Sequence, residues 1–154
     1  MHIHTGRCHC GSLEIVYQSA LPPEDTEVRA DQCGFCRRHG SRAVSDPAGR
    51  ATVRIRKAED LQRYRFGLRT ADFLLCRNCG VYVASVMADG DALYAILIVN
   101  AFDQAERFTR SPVSVDYEEE DTAARRQRRR ERWTPASIVL AGPEPDRTPT
   151  DEGR

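Results

Sequence analysis

Six cysteines set as three close pairs constrain this chain more than any other feature. They fall as Cys8-x-Cys10, Cys33-x-x-Cys36 and Cys76-x-x-Cys79, and Gly11 and Gly80 directly follow the first and third pairs. Two cysteines two or three residues apart can place both thiolates on one tetrahedral ion. A glycine just beyond permits the tight turn that aims backbone N–H groups at the sulfurs. A closed structural zinc site takes four such ligands, hence two knuckles. Six thiolates do not divide evenly into four-ligand sites. One full site leaves a pair over, and a second site must borrow a ligand or keep an open position, as catalytic zinc does.

The zinc reading depends on the compartment. Met1 to Cys10 lacks the apolar stretch of a signal peptide, and no apolar run approaches the roughly 20 residues that span a bilayer. The expectation is a soluble, cytoplasmic chain with no membrane partner, where metal or catalytic chemistry outweighs disulfides. Two other readings of the cysteines are weaker. Buried free cysteines serve as small core hydrophobes, but paired spacing three times over argues against that. A thioredoxin-type pair enters a long helix, whereas Cys36 is followed by Arg37, Arg38, His39 and Gly40, which read as a turn.

Short strands broken by turns dominate the first hundred residues. Leu13, Ile15 and Tyr17 alternate with Glu14 and Gln18, a period that only Val16 blurs, and Ala51, Val53 and Ile55 alternate with Thr52, Arg54 and Arg56. Phe73 to Leu75 run into Cys76. Val81 to Met87 is a β-branched run, Ala88 to Asp91 a hairpin signal, and Ala92 to Val99 a central strand. No long amphipathic helix precedes Asn100, so the expected class is mainly β. Phe102 to Phe108 reads as one or two helical turns. Glu118 to Trp133 is almost wholly polar, acids first and arginines last, in the order that suits a helix dipole. Ile138 to Leu140 follows as a docking segment. The resulting division is a zinc-binding β domain over 1–117, a charged helix and docking segment over 118–141, and a disordered tail over 142–154. With 154 residues and zero formal net charge, general attraction to nucleic acid is not indicated.

The order of the knuckles resembles a known family. Gly6-Arg7-Cys8-His9-Cys10-Gly11, then Cys33-x-x-Cys36, then Phe73-Leu74-Leu75-Cys76-Arg77-Asn78-Cys79-Gly80 is similar to the glutathione-dependent formaldehyde-activating enzymes, a family that includes centromere protein V. The resemblance spans roughly residues 3 to 103. It implies a β-tent of antiparallel sheets clamped by zinc, followed here by short C-terminal helices. It implies a structural zinc on Cys8, Cys10, Cys76 and Cys79, and a second zinc at the middle motif. The implied activity is that of a carbon–sulfur lyase acting on a thiol–aldehyde adduct such as S-hydroxymethylglutathione, with glutathione as the candidate thiol.

One departure falls at the critical place. The family's middle motif is C-x-C-x-x-C, and Asp31 stands where its first cysteine would be. Carboxylate is a legitimate zinc ligand, harder and less donating than thiolate. The candidate catalytic set is therefore Cys33, Cys36 and Asp31, with a turn-forming Asp31 as the plain alternative. Nearby, Arg37 and Arg38 are candidates for substrate carboxylates and His39 for a proton relay, though a solvated turn is the simpler reading of all three. His2, His4 and His9 read as non-ligands, His2 and His4 as surface residues. The arginines from Arg125 to Arg132 read as a solvated helix face with i,i+4 pairs, ahead of a nucleic-acid surface. Two functions compete: the lyase, which needs an open second metal, and a zinc-stabilised binding module without chemistry, which needs only the four-cysteine clamp.

Overall fold

In a computed structural model, residues 1–141 are described; the segment 142–154, expected as a disordered tail, lies outside them. The chain is mainly β, with eleven strands among the described residues in one branched sheet. The strands are β1 (His2–Arg7), β2 (Leu13–Ser19), β3 (Arg29–Asp31), β4 (Ala43–Val44), β5 (Arg50–Ile55), β6 (Leu61–Tyr64), β7 (Asp72–Cys76), β8 (Tyr82–Asp89), β9 (Ala92–Ile98), β10 (Val113–Val115) and β11 (Thr134–Leu140). Two α-helices, α1 (Gly34–His39) and α2 (Thr122–Arg132), complete the regular structure of the described residues together with short 3-10 turns.

Strand β9 is the branch point. It pairs with β8 along its length, and with β11 and then β4 along its other edge. Being paired on both sides, Ala92 to Val99 is central, as its composition suggests, and is not free to add a partner strand. From β9 one arm continues through β8 to β7 and β6, another through β4 to β3 and β10, and a third through β11 to β5, β2 and β1. All pairings are antiparallel except two: β10 with β3 and β11 with β5. The sheet is thus mixed, and both parallel contacts are made by strands that follow residue 110 and return to the body of the protein.

Alternation along β2 and β5 places Leu13, Ile15, Tyr17, Ala51 and Val53 inward, where they meet Leu74, Val83, Val86, Ala95 and Leu97 in one core cluster. His4 belongs to this interior. The expectation of a surface histidine is corrected: its ring lies 5.0 Å from Phe108, 5.9 Å from Tyr17 and 6.0 Å from Phe102 between ring centroids. The alternation that puts His2 in solvent puts His4 two residues later on the same face, but the 3-10 segment after β9 folds over that position. Gly6 shows how tightly it does so: a Cβ there would stand 2.3 Å from the Ala101 carbonyl oxygen.

The C-terminal segment also differs from a solvated appendage. Ile138 to Leu140 lie on β11, which pairs residue for residue with β5, while Thr134 and Pro135 pair with β9. Trp133, buried between α2 and β11, packs with Ala71 and Met87. Asp121 caps α2, its Oδ1 accepting from the Ala124 N–H at 2.8 Å.

Candidate metal centre

The first and third knuckles converge. β1 ends at Arg7 and β7 ends at Cys76, so Cys8, Cys10, Cys76 and Cys79 follow two strand ends within one protein edge. Their sulfurs all lie within 4.8 Å of one another. The Cys8 and Cys10 sulfurs are 3.7 Å apart, and those of Cys10 and Cys76 are 3.5 Å apart. Four sulfurs at about 2.3 Å from one tetrahedral zinc are about 3.8 Å apart, so the donor set has the right size for that ion. Backbone donors face it: Leu13 N–H lies 3.3 Å from the Cys8 sulfur and Cys79 N–H 3.5 Å from that of Cys76. Gly11 and Gly80 make the turns, with φ of 83° and 82°, values that a side chain would strain. Burial pushes the Cys8 thiol well up. At Cys10 burial also opposes ionisation, but hydrogen bonds from Asn78, from Ser12 and from Cys76 outweigh it and bring that thiol to about 6.

The second group is smaller and differently placed. Asp31 ends β3, Cys33 caps the N-terminus of α1, and Cys36 lies in its first turn. One ligand atom from each lies within 4.8 Å of the others. The middle knuckle therefore does enter a helix, against the turn expected from Arg37-Arg38-His39-Gly40. The helix is a single short stretch that Gly40 ends in the left-handed conformation. The Cys33 sulfur accepts from the Cys36 N–H at 3.2 Å, and Asp31 Oδ1 accepts from the Cys33 N–H at 2.8 Å. Asp31 is thus both a turn residue and a member of the donor set. The Cys36 thiol shields and stabilises a Cys33 thiolate, which lowers Cys33 and raises Cys36, the latter raised further by burial.

Phe35, between the two cysteines, fixes the helix to the sheet. Its ring centroid lies 4.9 Å from Phe73, 5.0 Å from Tyr82, 5.6 Å from Tyr64 and 5.8 Å from Phe66. The His39 ring lies tilted against Phe35 at 4.4 Å between centroids, is exposed, and does not line the cavity described next. The geometry gives it no place as a proton relay for that cavity.

A cavity of about 530 Å³ opens beside this second group. Asp31, Cys33 and Arg37 form one wall, and Phe66, Leu68 and Phe73 an apolar wall. The third wall is α2, which presents Arg125, Arg128 and Arg129. The arginine run is therefore not simply a solvated face. Arg126 and Arg130 pair with Asp89 at 2.9 and 3.4 Å on one side. The cavity face carries a different arrangement. Glu120 accepts from Arg128 through both oxygens at 3.0 Å and lies 3.7 Å from Arg125 Nε. The Arg128 guanidinium also lies 3.5 Å from the Tyr117 ring centroid. The signal was present in the spacing: 125, 128 and 129 share one helical face, with Trp133 one turn beyond. Which body that face packs against could not be read from the helix itself.

Comparison with known proteins agrees with the knuckle order. The family model described as glutathione-dependent formaldehyde-activating enzyme matches residues 3–118, and the chain belongs to that family. A crystal structure of a Rhodobacter sphaeroides protein shares 30% sequence identity with it. That match covers 72% of this chain and 99% of the other, with a TM-score of 0.53. Both cysteine-rich groups can hold zinc. No helix among the described residues is long and apolar enough to cross a membrane. The helix α2 and strand β11 follow the end of the family match.

Proposed function

We propose that this chain is a cytoplasmic zinc-dependent enzyme of the carbon–sulfur lyase type, acting on a thiol–aldehyde adduct such as S-hydroxymethylglutathione. The observation that carries the reading is the cavity: Asp31 and Cys33 line one of about 530 Å³, and none of the four cysteines of the other group does. In this reading Cys8, Cys10, Cys76 and Cys79 hold a structural zinc, and Asp31, Cys33 and Cys36 hold a second one with a position left open. Residues 1–117 form the zinc-binding domain, of the β-tent kind, and 118–141 an appended helix and docking strand.

A zinc ion in the second group supplies Lewis acidity that favours the thiolate of a substrate sulfur at neutral pH. The protein's own residues do the rest. In the synthetic direction one C–S bond forms between thiol and aldehyde, and the thiol proton ends on the former carbonyl oxygen; the reverse direction breaks that bond, and no oxidant or reductant takes part. Phe66, Leu68 and Phe73 cover the carbon body of the substrate and keep water from one side. The Asp31 carboxylate, weaker as a donor than a thiolate, would leave a bound metal more electron-poor and more loosely held. Asp31 Oδ1 already accepts from the Cys33 N–H, so Oδ2 would be the oxygen free to hold a metal. The test follows adduct formation between glutathione and isotopically labelled formaldehyde by exchange NMR. Wild-type protein accelerates the exchange and Cys33→Ser does not; no acceleration by zinc-loaded wild type would instead favour the binding module.

A further inference from the structure

Arg129 stands apart from every other arginine on α2. It is 7% exposed, and among the described residues no carboxylate pairs with it. Its Nη1 donates to Thr70 Oγ1 at 2.7 Å, its guanidinium lies 4.6 Å from the Trp133 ring centroid, and its buried Nε–H has no hydrogen-bond partner. Neighbouring Arg125 and Arg128 share Glu120, so their charge is largely answered. Buried cations are normally paired, and one left with a hydroxyl, a ring and an orphaned N–H is costly to keep. The strain shows in its acidity: burial, then the charges of Arg128 and Arg125, lower Arg129 to about 10.

Arg129 lines the large cavity together with Asp31 and Cys33. It also lines a small neighbouring void of about 50 Å³ that reaches Asp31 and Cys36. We propose that Arg129 is the anchor for a single carboxylate of the thiol substrate, so that the appended helix α2 makes the second metal group selective for acidic thiols. The inference rests on the lyase reading for the sulfur end of the substrate, and on the cavity alone for the acid end. The ligand chemistry follows from the walls. A planar guanidinium fits a carboxylate, the apolar side of Phe66, Leu68 and Phe73 fits a short carbon chain, and the Asp31–Cys33–Cys36 corner takes the sulfur. Arg125 and Arg128 are held by Glu120, and Asp116, Glu118 and the exposed Arg37 line the same cavity, so Arg129 is its buried cation without a carboxylate partner.

Calorimetry on the zinc-loaded full chain with three probes tests this: mercaptopropionate, its alcohol counterpart mercaptopropanol, and propionate. Wild type binds mercaptopropionate more tightly than mercaptopropanol by roughly 10–100-fold, the worth of a charge-assisted hydrogen bond. Arg129→Gln removes that preference and leaves mercaptopropanol unchanged, while Arg129→Lys keeps part of it. Equal binding of mercaptopropionate and mercaptopropanol by wild type overturns the inference, and this needs no variant to fold. Survival of the preference in a folded Arg129→Gln overturns it as well. If propionate binds as tightly as mercaptopropionate, and both weaken in Arg129→Gln, the carboxylate anchor stands and the metal–thiol reading falls.

Discussion

The two cysteine groups are built from the same kind of knuckle and end in different states. The group of Cys8, Cys10, Cys76 and Cys79 ties two strand ends together, is filled by four sulfurs, and has Cys8 and Cys76 buried to 1% and 0% exposure. The group of Asp31, Cys33 and Cys36 has three donors, rests on one turn of helix, and opens on a cavity. The comparison teaches that closure depends on what surrounds the knuckles. Where two strands deliver two pairs, four sulfurs come together, enough for a closed site. Where one pair meets a short strand, the third donor brought to the group is a carboxylate.

The largest effect should come from breaking the clamp. Cys76→Ser removes one of the four sulfurs from a fully buried position. Structural zinc contributes about 10–16 kcal/mol, as much as the whole stability of a typical domain. The variant is expected to lose the native circular-dichroism melt entirely; a cooperative melt near the wild-type temperature would show that the clamp is dispensable. Cys33→Ser, the matching change in the open group, should abolish adduct exchange while moving the melting temperature by less than about 5 °C. A collapse of stability like that of Cys76→Ser would erase the distinction between the two groups.

A smaller effect is expected at the wall between them and α2. Glu120→Gln leaves Arg125 and Arg128 without their shared acid beside the cavity, and should cost about 1–3 kcal/mol in denaturant unfolding, the worth of a mostly buried charged hydrogen bond. No measurable loss would mean that α2 is held by β11 and Trp133 alone.

The smallest effect concerns His4, remote from the cavity. Burial lowers its pKa from the ordinary value of 6.5, helped by Arg107 and His2 and opposed by Glu24. A histidine kept neutral in the fold and free to charge when unfolded stabilises fully above pH 6.5, and that contribution is lost as pH falls through the lowered folded value. Comparing wild type with His4→Phe isolates it from metal release, which both share: the difference in unfolding free energy should move in favour of the variant between pH 7.5 and pH 5.5. A constant difference would mean that His4 does not titrate differently on folding.

Much of this was legible in the residues. Alternation at Leu13, Ile15 and Tyr17 and at Ala51, Val53 and Ile55 marked two half-buried strands, and the apolar Ala92 to Val99 run marked the central one. Cysteine spacing marked three knuckles, and the family resemblance grouped the first with the third and singled out Asp31 by its place in the middle motif. What escaped depended on contacts distant in sequence. His4 is buried because residues 99–108 fold over it. Phe35 holds α1 by packing on rings some 30 to 50 residues away, which makes a short helix where the local sequence reads as a turn. The arginine face of α2 is a cavity wall because β11 returns the chain to β5 and β9, a parallel crossover that no local pattern announces.

Zinc content per chain, measured by metal mass spectrometry on wild type and on Asp31→Ala, tests the central claim most directly. The account predicts about two ions in wild type and about one in the variant, with the closed group still filled. About one ion in both proteins, unchanged when zinc is added, would contradict it: Asp31 would then be a turn residue only, and the middle knuckle no metal site.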